Sequence, residues 1–248
     1  MHTIPQHPLD PSRAVPTRWQ SCVFRAKAAV HQACRALQDW RCELRQHSRG
    51  QLLAGMAVTG QWTSELRAGD GLPARELELQ EGKVRNLTLA ATVLDGLEVP
   101  AGEVWSFWRQ LGRATRSRGF AEGRELREGC IIPQIGGGLC QLSGAIYNAA
   151  LEAGLEIVER HAHSHAGIGS LARLGRDATV FWNYVDLRLR ASQPWRLEVA
   201  VGATHLEVRI RCPEQRPRTA AATDAVNVSA SPLNSCATCG VGSCHRSE

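Results

Sequence analysis

The chain has 248 residues, of which 43% are hydrophobic, so it can bury a sizeable core and is not wholly disordered. Its net charge is +5, but residues 1–50 carry eight Lys or Arg against three acids, so the rest of the chain is neutral. A nucleic-acid-binding protein usually carries its basic charge on the folded body. The charge distribution therefore disfavours nucleic acid as a partner.

The sequence has no export or membrane signal that we recognise. No window of about 18 consecutive apolar residues predicts a membrane-spanning helix. The start, MHTIPQHPLDPSR, lacks the basic-then-apolar pattern of a signal peptide. We therefore expect a cytoplasmic location. Nine cysteines, an odd number, then favour reduced thiols, a metal site or a catalytic thiol over a disulfide framework.

The N-terminal part predicts an arm outside the main domain. Residues 1–17 are rich in Pro and His and are expected to be disordered. Residues 18–50 predict a basic amphipathic helix, because apolar residues recur at spacings of three or four from Trp19 to Leu37. Two roles stay open for this helix: packing against the domain, which we favour, or peripheral contact with an anionic membrane surface.

Residues 51–212 predict a single α+β domain of helices plus a mainly antiparallel sheet. Helices are predicted over 84–95 and 140–153, and strands over 103–108, 155–163 and 178–190. Alternating residues around Gly202-Ala203 predict an antiparallel hairpin over 197–210. A loop is expected between 108 and the glycines at 136. Residues 213–235 are expected to be a flexible linker, and 236–248 a disordered Cys-rich tail.

Cys140 is the strongest candidate for a nucleophile. It opens a predicted helix directly after Gly136, Gly137 and Gly138, which allow a ligand to approach the backbone closely. The positive end of the helix dipole lowers the pKa of a thiol in this position, and the unpaired N–H groups there can serve as an oxyanion hole. The alternative is that Cys140 packs as a small apolar residue against the glycines.

Histidines downstream of Cys140 supply candidate bases. His161, His163 and His165 alternate along one predicted strand and point to the same side. His163 or His161 can serve as the base for Cys140, with Asp177 or Asp186 orienting the imidazole. The order Cys, His, acid is that of papain-like and transglutaminase-like enzymes, an analogy at the level of fold. Metal binding through H-x-H-x-H, or simple packing, are the alternatives.

A separate cysteine cluster lies near the C-terminus. Cys236 and Cys239 form a C-x-x-C pair, and Cys244 and His245 follow after four residues. These four residues are candidate ligands for Zn or an iron–sulfur cluster, with Cys212 as a further ligand if the linker folds back. The spacing matches neither a standard zinc finger nor the usual cluster motif. The alternative is a tail of reduced thiols without metal.

Several segments, taken in this order, resemble the VanW family. They are Asn86-Leu87, PAGEVWSF at 100–107, GGGLCQLS at 136–143, Tyr147-Asn148, LEIVERHAHS at 155–164, and GRDATV at 175–180 followed by Asp186-Leu-Arg. The resemblance runs from about Lys83 to Arg211. It implies an association with bacterial cell-envelope or peptidoglycan biology and glycopeptide resistance, but no defined reaction. The signature positions that it implies are Cys140, Gln141, Ser143, His161, His163, Ser164 and Asp177.

Three functions are compatible with these residues. The first is thiol-dependent acyl transfer or amide cleavage on a cell-wall precursor or peptide, with Cys140 as nucleophile. The second is a non-catalytic module in which the three glycines, Gln141, Ser143 and Ser164 contact an envelope ligand. The third is metal or redox sensing through the C-terminal cysteines. The first requires an imidazole close to Cys140, and the second does not.

Overall fold

The structure is a computed structural model that describes residues 18–41, 44–67, 73–127, 130–163, 175–213 and 234–235. The helices of these ranges are α1 (Arg18–Arg41), α2 (Ala74–Leu94), α3 (Phe107–Leu111) and α4 (Leu139–Glu152). The strands are β1 (Val58–Glu65), β2 (Leu97–Val99), β3 (Val104–Ser106), β4 (Glu122–Arg127), β5 (Cys130–Ile135), β6 (Glu156–Glu159), β7 (Arg188–Arg190), β8 (Trp195–Val201), β9 (His205–Arg211) and β10 (Asn234–Ser235). This mixture confirms the predicted α+β class.

The strands form three small sheets rather than one. The largest has the order β1-β9-β8-β2, and the other two have the orders β10-β5-β4 and β3-β7-β6. Within the described ranges, all strand pairs are antiparallel except the two-residue pairing of β10 with β5. The predicted hairpin over 197–210 is confirmed as β8 and β9.

Helices α2 and α4 pack against the four-stranded sheet and form the core with it. Leu87 of α2, Ile146 of α4 and Trp195 of β8 are completely buried. Burial of each such side chain contributes about 1.5–3 kcal/mol. Strand β1 lies close to α4, because a Cβ at Gly60 would overlap the carbonyl oxygen of Ala149. The core thus fixes the N-terminus of α4, where Cys140 lies.

Several predicted strands are shorter in the structure. The strand expected over 103–108 ends at Ser106, whose hydroxyl accepts a hydrogen bond from the backbone N–H of Arg109 and so caps α3. The strand expected over 155–163 ends at Glu159, after which His161 makes only an isolated bridge to Thr179. The strand expected over 178–190 is interrupted by a tight turn at 182–184, and β7 covers only its last three residues.

Strands β4 and β5, which form a hairpin, and the edge strand β1 were not predicted. Strands β4 and β5 occupy most of the expected loop, where glycine, proline and charged residues hide the alternation of a strand. Strand β1, VTGQWTSE, is polar and contains Gly60, yet it pairs along its whole length with β9. These strands form because neighbouring strands supply their hydrogen bonds, which periodicity does not record.

Helix α1 docks on the domain through its polar side. Arg35 pairs with Glu159, Asp39 pairs with Arg188, and the side-chain amide of Gln32 donates to the carbonyl of Trp182 at 3.3 Å. Of the apolar side chains that predict its amphipathic character, Val30 and Leu37 are 61% and 50% exposed, and the neighbouring Trp40 is 77% exposed. In the part of the chain that the structure describes, no helix is long and apolar enough to cross a membrane.

Candidate active site

Two different structural reasons explain why glycine occupies the three positions before α4. Gly136 and Gly138 have positive φ angles of 81° and 102°, which favour glycine strongly over other residues. Gly137 has no room for a side chain, because a Cβ there would overlap the carbonyl group of Gly123 in β4. The backbone therefore turns sharply into α4 while touching the neighbouring hairpin. As a result, Cys140 lies in the first turn of a helix, as its position in the sequence predicts.

The thiol of Cys140 is half-buried and faces the segment after residue 175. Its Sγ lies 3.3 Å from the hydroxyl of Thr179, and it donates to the carbonyl oxygen of Val180 at 3.6 Å. Cys140 is thus neither sealed in the core nor free in solvent. Free cysteines that react need such partial access, whereas structural cysteines are fully enclosed.

His163 and Asp177 form a hydrogen-bonded pair next to this thiol. Oδ2 of Asp177 accepts from both the backbone N–H and Nδ1 of His163, each at 2.8 Å. Nδ1 carries the proton because a carboxylate can only accept. Nε2 of His163 is buried and has no hydrogen-bond partner among the described groups. The pair therefore leaves one ring nitrogen for the thiol.

The charges of this cluster favour a protonated imidazole. Burial by itself would lower the pKa of His163, but its hydrogen bond to Asp177, the nearby Cys140 thiol, and the negative charge of both groups raise it to about 10. Burial likewise opposes ionisation of Asp177, but the hydrogen bonds and charge of His163 and the charge of Arg160 lower its pKa. At neutral pH, His163 is an imidazolium held by a carboxylate.

Helix α4 holds the segment that carries Asp177 and Thr179. Ser143, Tyr147 and Asn148 donate their side-chain hydrogen bonds to the carbonyls of Ala178, Gly175 and Arg176, at 2.6, 3.1 and 2.8 Å. Arg160 completes this support, because its Nε donates to the carbonyl of Asp177 at 2.7 Å. The same helix that presents the thiol therefore also positions the acid.

A cleft of about 740 Å³ opens beside the cluster and can admit a small ligand or an extended peptide. Cys140, His163 and Asp177 all line it. The far wall includes Trp108 and Trp182, whose rings meet edge to face with centroids 5.4 Å apart. Helix α1 contributes Gln32 to the rim. The candidate nucleophile, base and acid thus share one accessible space.

The structure separates other predicted residues from this cluster. His161 is exposed and bonds to Glu159 at 3.1 Å, and it does not line the cleft. Asp186, the alternative acid, is buried against Ser106 and Arg188 instead. Ser143 is completely buried beneath the thiol, so it supports the backbone and does not reach the cleft.

Of the remaining residues predicted to contact a ligand, some line the cleft and others do not. Gly136, Gly138 and Gln141 line the cleft, whereas Gly137 does not. The amide of Gln141 is already committed to β1, since it donates to the hydroxyl of Ser64 at 3.0 Å and to the carbonyl of Glu65 at 2.7 Å. The backbone N–H groups of Leu139 and Gln141 donate to the carbonyls of Gly136 and Gly138, so these two N–H groups of the first helical turn are not free for the predicted oxyanion hole.

Several predicted residues lie outside the described part of the chain. They are Ser164, His165, Cys236, Cys239, Cys244 and His245. Most of the predicted linker and tail, 214–233 and 236–248, and the predicted disordered start, 1–17, lie outside it too. Among the described residues, no three His, Cys, Asp or Glu side chains come together as a metal site. Cys212 is buried, and its nearby partner is the hydroxyl of Thr59.

Sequence reasoning did not find Lys83, Thr179 or Arg160 as parts of the site. Lys83 lies on α2, more than fifty residues before Cys140 in the sequence, and its side chain lines the cleft. Arg160 and Thr179 lie inside the segments that resemble the VanW family, so their positions next to His161 and Asp177 were a usable signal. No local signal marks Lys83, because only the packing of α2 on α4 brings it to the cleft.

Two curated proteins are similar in sequence to part of this chain. The chain is 34% identical to "Uncharacterized protein YoaR" of Bacillus subtilis (strain 168) over 110 residues. This matched segment is 44% of this chain and 36% of the relative. The chain is 35% identical to "Vancomycin B-type resistance protein VanW" of Enterococcus faecalis (strain ATCC 700802 / V583) over 114 residues. This second segment is 45% of this chain and 42% of the relative. The chain thus spans about two fifths of these relatives.

The solved structures and the family comparison complete this picture. No solved structure matches the chain. The family model described as "VanW like protein" matches residues 82–211, which include α4, His163 and Asp177. Because this match covers more than half of the sequence, the chain belongs to the VanW family.

Proposed function

We propose that the chain catalyses thiol-dependent acyl transfer or amide cleavage, with Cys140 as nucleophile, His163 as proton carrier and Asp177 as the residue that orients His163. The observation that carries this proposal is the Asp177–His163 pair at 2.8 Å beside a half-buried thiol, all on one cleft. The cluster is the arrangement that a thiol nucleophile needs: a base within reach and a third group that holds the base.

The proposed reaction begins with Cys140 as thiolate and His163 as imidazolium. The thiolate sulfur attacks the carbonyl carbon of an amide and forms a C–S bond, while the carbonyl electrons move to its oxygen. When the carbonyl re-forms, the C–N bond breaks and His163 gives its proton to the leaving amine nitrogen. Water or a second amine then attacks the thioester and passes a proton to His163, and the thiolate leaves. The enzyme returns to its starting charges.

The raised pKa of His163 supports this assignment of protons. An imidazole that already holds a proton at neutral pH cannot accept a further one from a thiol, but it can protonate a leaving amine. Asp177 supports the same role, since its carboxylate fixes the ring by one Nδ1–H bond and leaves Nε2 for the reaction. We therefore assign His163 the acid role in the first half of the reaction and the base role in the second.

A peptide of the bacterial cell envelope is the substrate that we propose. The support is the name of one relative, a vancomycin resistance protein, together with family membership. A peptide supplies the amide bond on which the proposed cluster would act. The cleft, at about 740 Å³, has room for several residues of such a peptide.

The first test measures how fast each cysteine reacts with iodoacetamide at pH 6.5, resolved by peptide mass spectrometry. We expect Cys140 to react at least about tenfold faster in the unchanged protein than in His163→Gln, because an ordinary thiol is only about 1% ionised at this pH. His161→Gln is the matched control, since His161 is exposed and does not line the cleft. It should leave the rate unchanged.

A second readout follows acyl transfer itself. With p-nitrophenyl acetate we expect a burst of one nitrophenolate per active protein and an acetyl group on the Cys140 peptide, both absent in Cys140→Ser. Equal alkylation rates in all variants and no acetyl adduct would overturn the enzyme proposal. They would favour the module that binds an envelope ligand without catalysis.

A further inference from the structure

The cleft beside Cys140 has a basic wall. Lys83, Arg113, Arg116 and Arg124 line it, and the carboxylates that share the lining are Glu125 and Asp177. Two of the four cations already have partners, because Arg116 pairs with Glu122 at 2.6 Å and Arg124 lies 3.5 Å from Glu76. Asp177 is committed to His163. The wall therefore keeps an excess of positive charge near the thiol.

Lys83 packs on the glycine loop that precedes Cys140. A Cβ at Gly138 would overlap Cγ of Lys83, so the methylene stem of this lysine lies on the glycine two residues before Cys140. Gly138 thereby has two roles: it starts α4 with a positive φ angle, and it leaves room for the lysine. This contact brings a charged group of α2 to the mouth of the site.

Lys83 has no carboxylate partner among the described residues, although it is half-buried. Burial, followed by the positive charges of Arg124 and Arg67, lowers its pKa to about 8. An uncompensated ammonium in such a place costs free energy, and an anion bound beside it would recover that cost. Lys83 is one of only two lysines among the 29 Lys and Arg residues of the chain.

We propose that Lys83 is a specificity-determining residue that binds a carboxylate of the acyl donor, so that Cys140 acts on substrates carrying a carboxylate close to the scissile carbonyl. A singly charged carboxylate matches the single charge of the Lys83 ammonium. This inference rests on the proposed function, since it names the substrate class of the same site.

The test compares charged and neutral reagents of similar shape on Cys140. The probes are iodoacetate against iodoacetamide, and 3-maleimidopropionate against N-ethylmaleimide, which place the carboxylate at two distances from the sulfur. The measured quantity is the ratio of the charged to the neutral rate at the Cys140 peptide, at pH 7, divided by the same ratio for free cysteine. We expect this ratio to exceed one for at least one pair and to fall about tenfold in Lys83→Met.

Two further variants separate a specific site from general charge. Lys83→Arg keeps the charge and should keep the preference for the carboxylate. Arg85→Met removes an exposed cation from the same helix, two residues away and outside the cleft lining, and should change nothing. The rate with the neutral reagents reports whether each variant still folds around the thiol.

The outcomes distinguish this inference from the proposed function. Fast neutral labelling of Cys140 with the same charged-to-neutral ratio in the unchanged protein and Lys83→Met overturns the carboxylate site and leaves the thiol chemistry standing. An equal fall of the ratio in Arg85→Met also overturns it, because the effect would then be general electrostatics. Slow labelling by both neutral reagents in the unchanged protein overturns the proposed function and this inference with it.

Discussion

Asp177 raises the pKa of His163 through the Nδ1–H hydrogen bond and through its negative charge, so exchange of its carboxylate for an amide is a direct test. Asp177→Asn keeps the shape of the side chain but removes the negative charge. We expect the pKa of His163 to fall from about 10 towards its ordinary value of 6.5. An NMR titration of the imidazole, assigned with His163→Gln, measures this fall.

The same pair makes stability depend on pH with a definite sign. The folded pKa of His163 lies above its unfolded value, so its contribution is complete below pH 6.5 and is lost as pH rises towards about 10. The pKa of Asp177 is lowered, so its contribution is lost at the acidic end, below its ordinary value of 3.8. The difference in unfolding free energy between the protein and Asp177→Asn should therefore be largest between about pH 4 and 6.5. A difference that stays constant from pH 6 to 10 would contradict the assigned charges.

Strand β6 carries two glutamates in contrasting settings, and they predict how α1 is held. Glu159 pairs with Arg35 of α1, and both side chains are mostly buried, at 17% and 14% exposed. Glu156 pairs with Arg190 of β7, and these side chains are 54% and 43% exposed. Loss of a partner costs most where water cannot replace it.

Arg35→Met should therefore destabilise the protein by about 1–3 kcal/mol, whereas Arg190→Met should cost less than about 1 kcal/mol. Urea unfolding of both variants measures the two costs. Arg35→Met should also speed hydrogen exchange in 29–41, because Arg35 ties α1 to Glu159 and to the carbonyl of Tyr184. Equal costs for the two variants would show that α1 gains nothing from the buried pair.

The elements also show which parts of the fold local sequence can predict. Helix α4 and the β8–β9 hairpin follow from periodicity, because β9 alternates buried residues and the apolar positions of α4 recur at helical spacing. Periodicity does not show that α4 is buried on all sides over 142–150. Helix α2 begins ten residues before its predicted start, in a charged stretch where Glu76 and Gln80 are nevertheless buried by the neighbouring hairpin. Strands β1, β4 and β5 have no clear alternation, and partners distant in sequence stabilise them.

The residues of the candidate site likewise differ in how far local sequence can predict them. Cys140, His163 and Asp177 lie in short segments with chemically distinctive residues, so the sequence alone could single them out as candidates. Their separation from His161 and Asp186 could not, because it depends on where β6 ends and on the turn at 182–184. Lys83 is the clearest case of a tertiary contribution, since its place in the cleft depends on the contact with Gly138.

At the scale of the whole molecule, the folding unit extends beyond the family match, which begins at residue 82 inside α2. Strand β1 pairs with β9 along its length, packs against α4 at Gly60, and receives the amide of Gln141 at its end. Its removal would expose the edge of the largest sheet and one side of the helix that carries Cys140. Removal of α1 would break the polar contacts that Gln32, Arg35 and Asp39 make with the domain.

Two truncated chains test this boundary. Residues 44–213, which keep β1 and lack α1, should unfold in one cooperative thermal transition at a lower Tm than the full chain. Residues 73–213, which lack β1, should show no such transition and should aggregate, because β9 becomes an unpaired edge strand beside exposed apolar surface. Circular dichroism melts and light scattering measure both results. A cooperative melt of residues 73–213 would place the boundary after β1 and show that the match to the family marks the folding unit more closely than the sheet does.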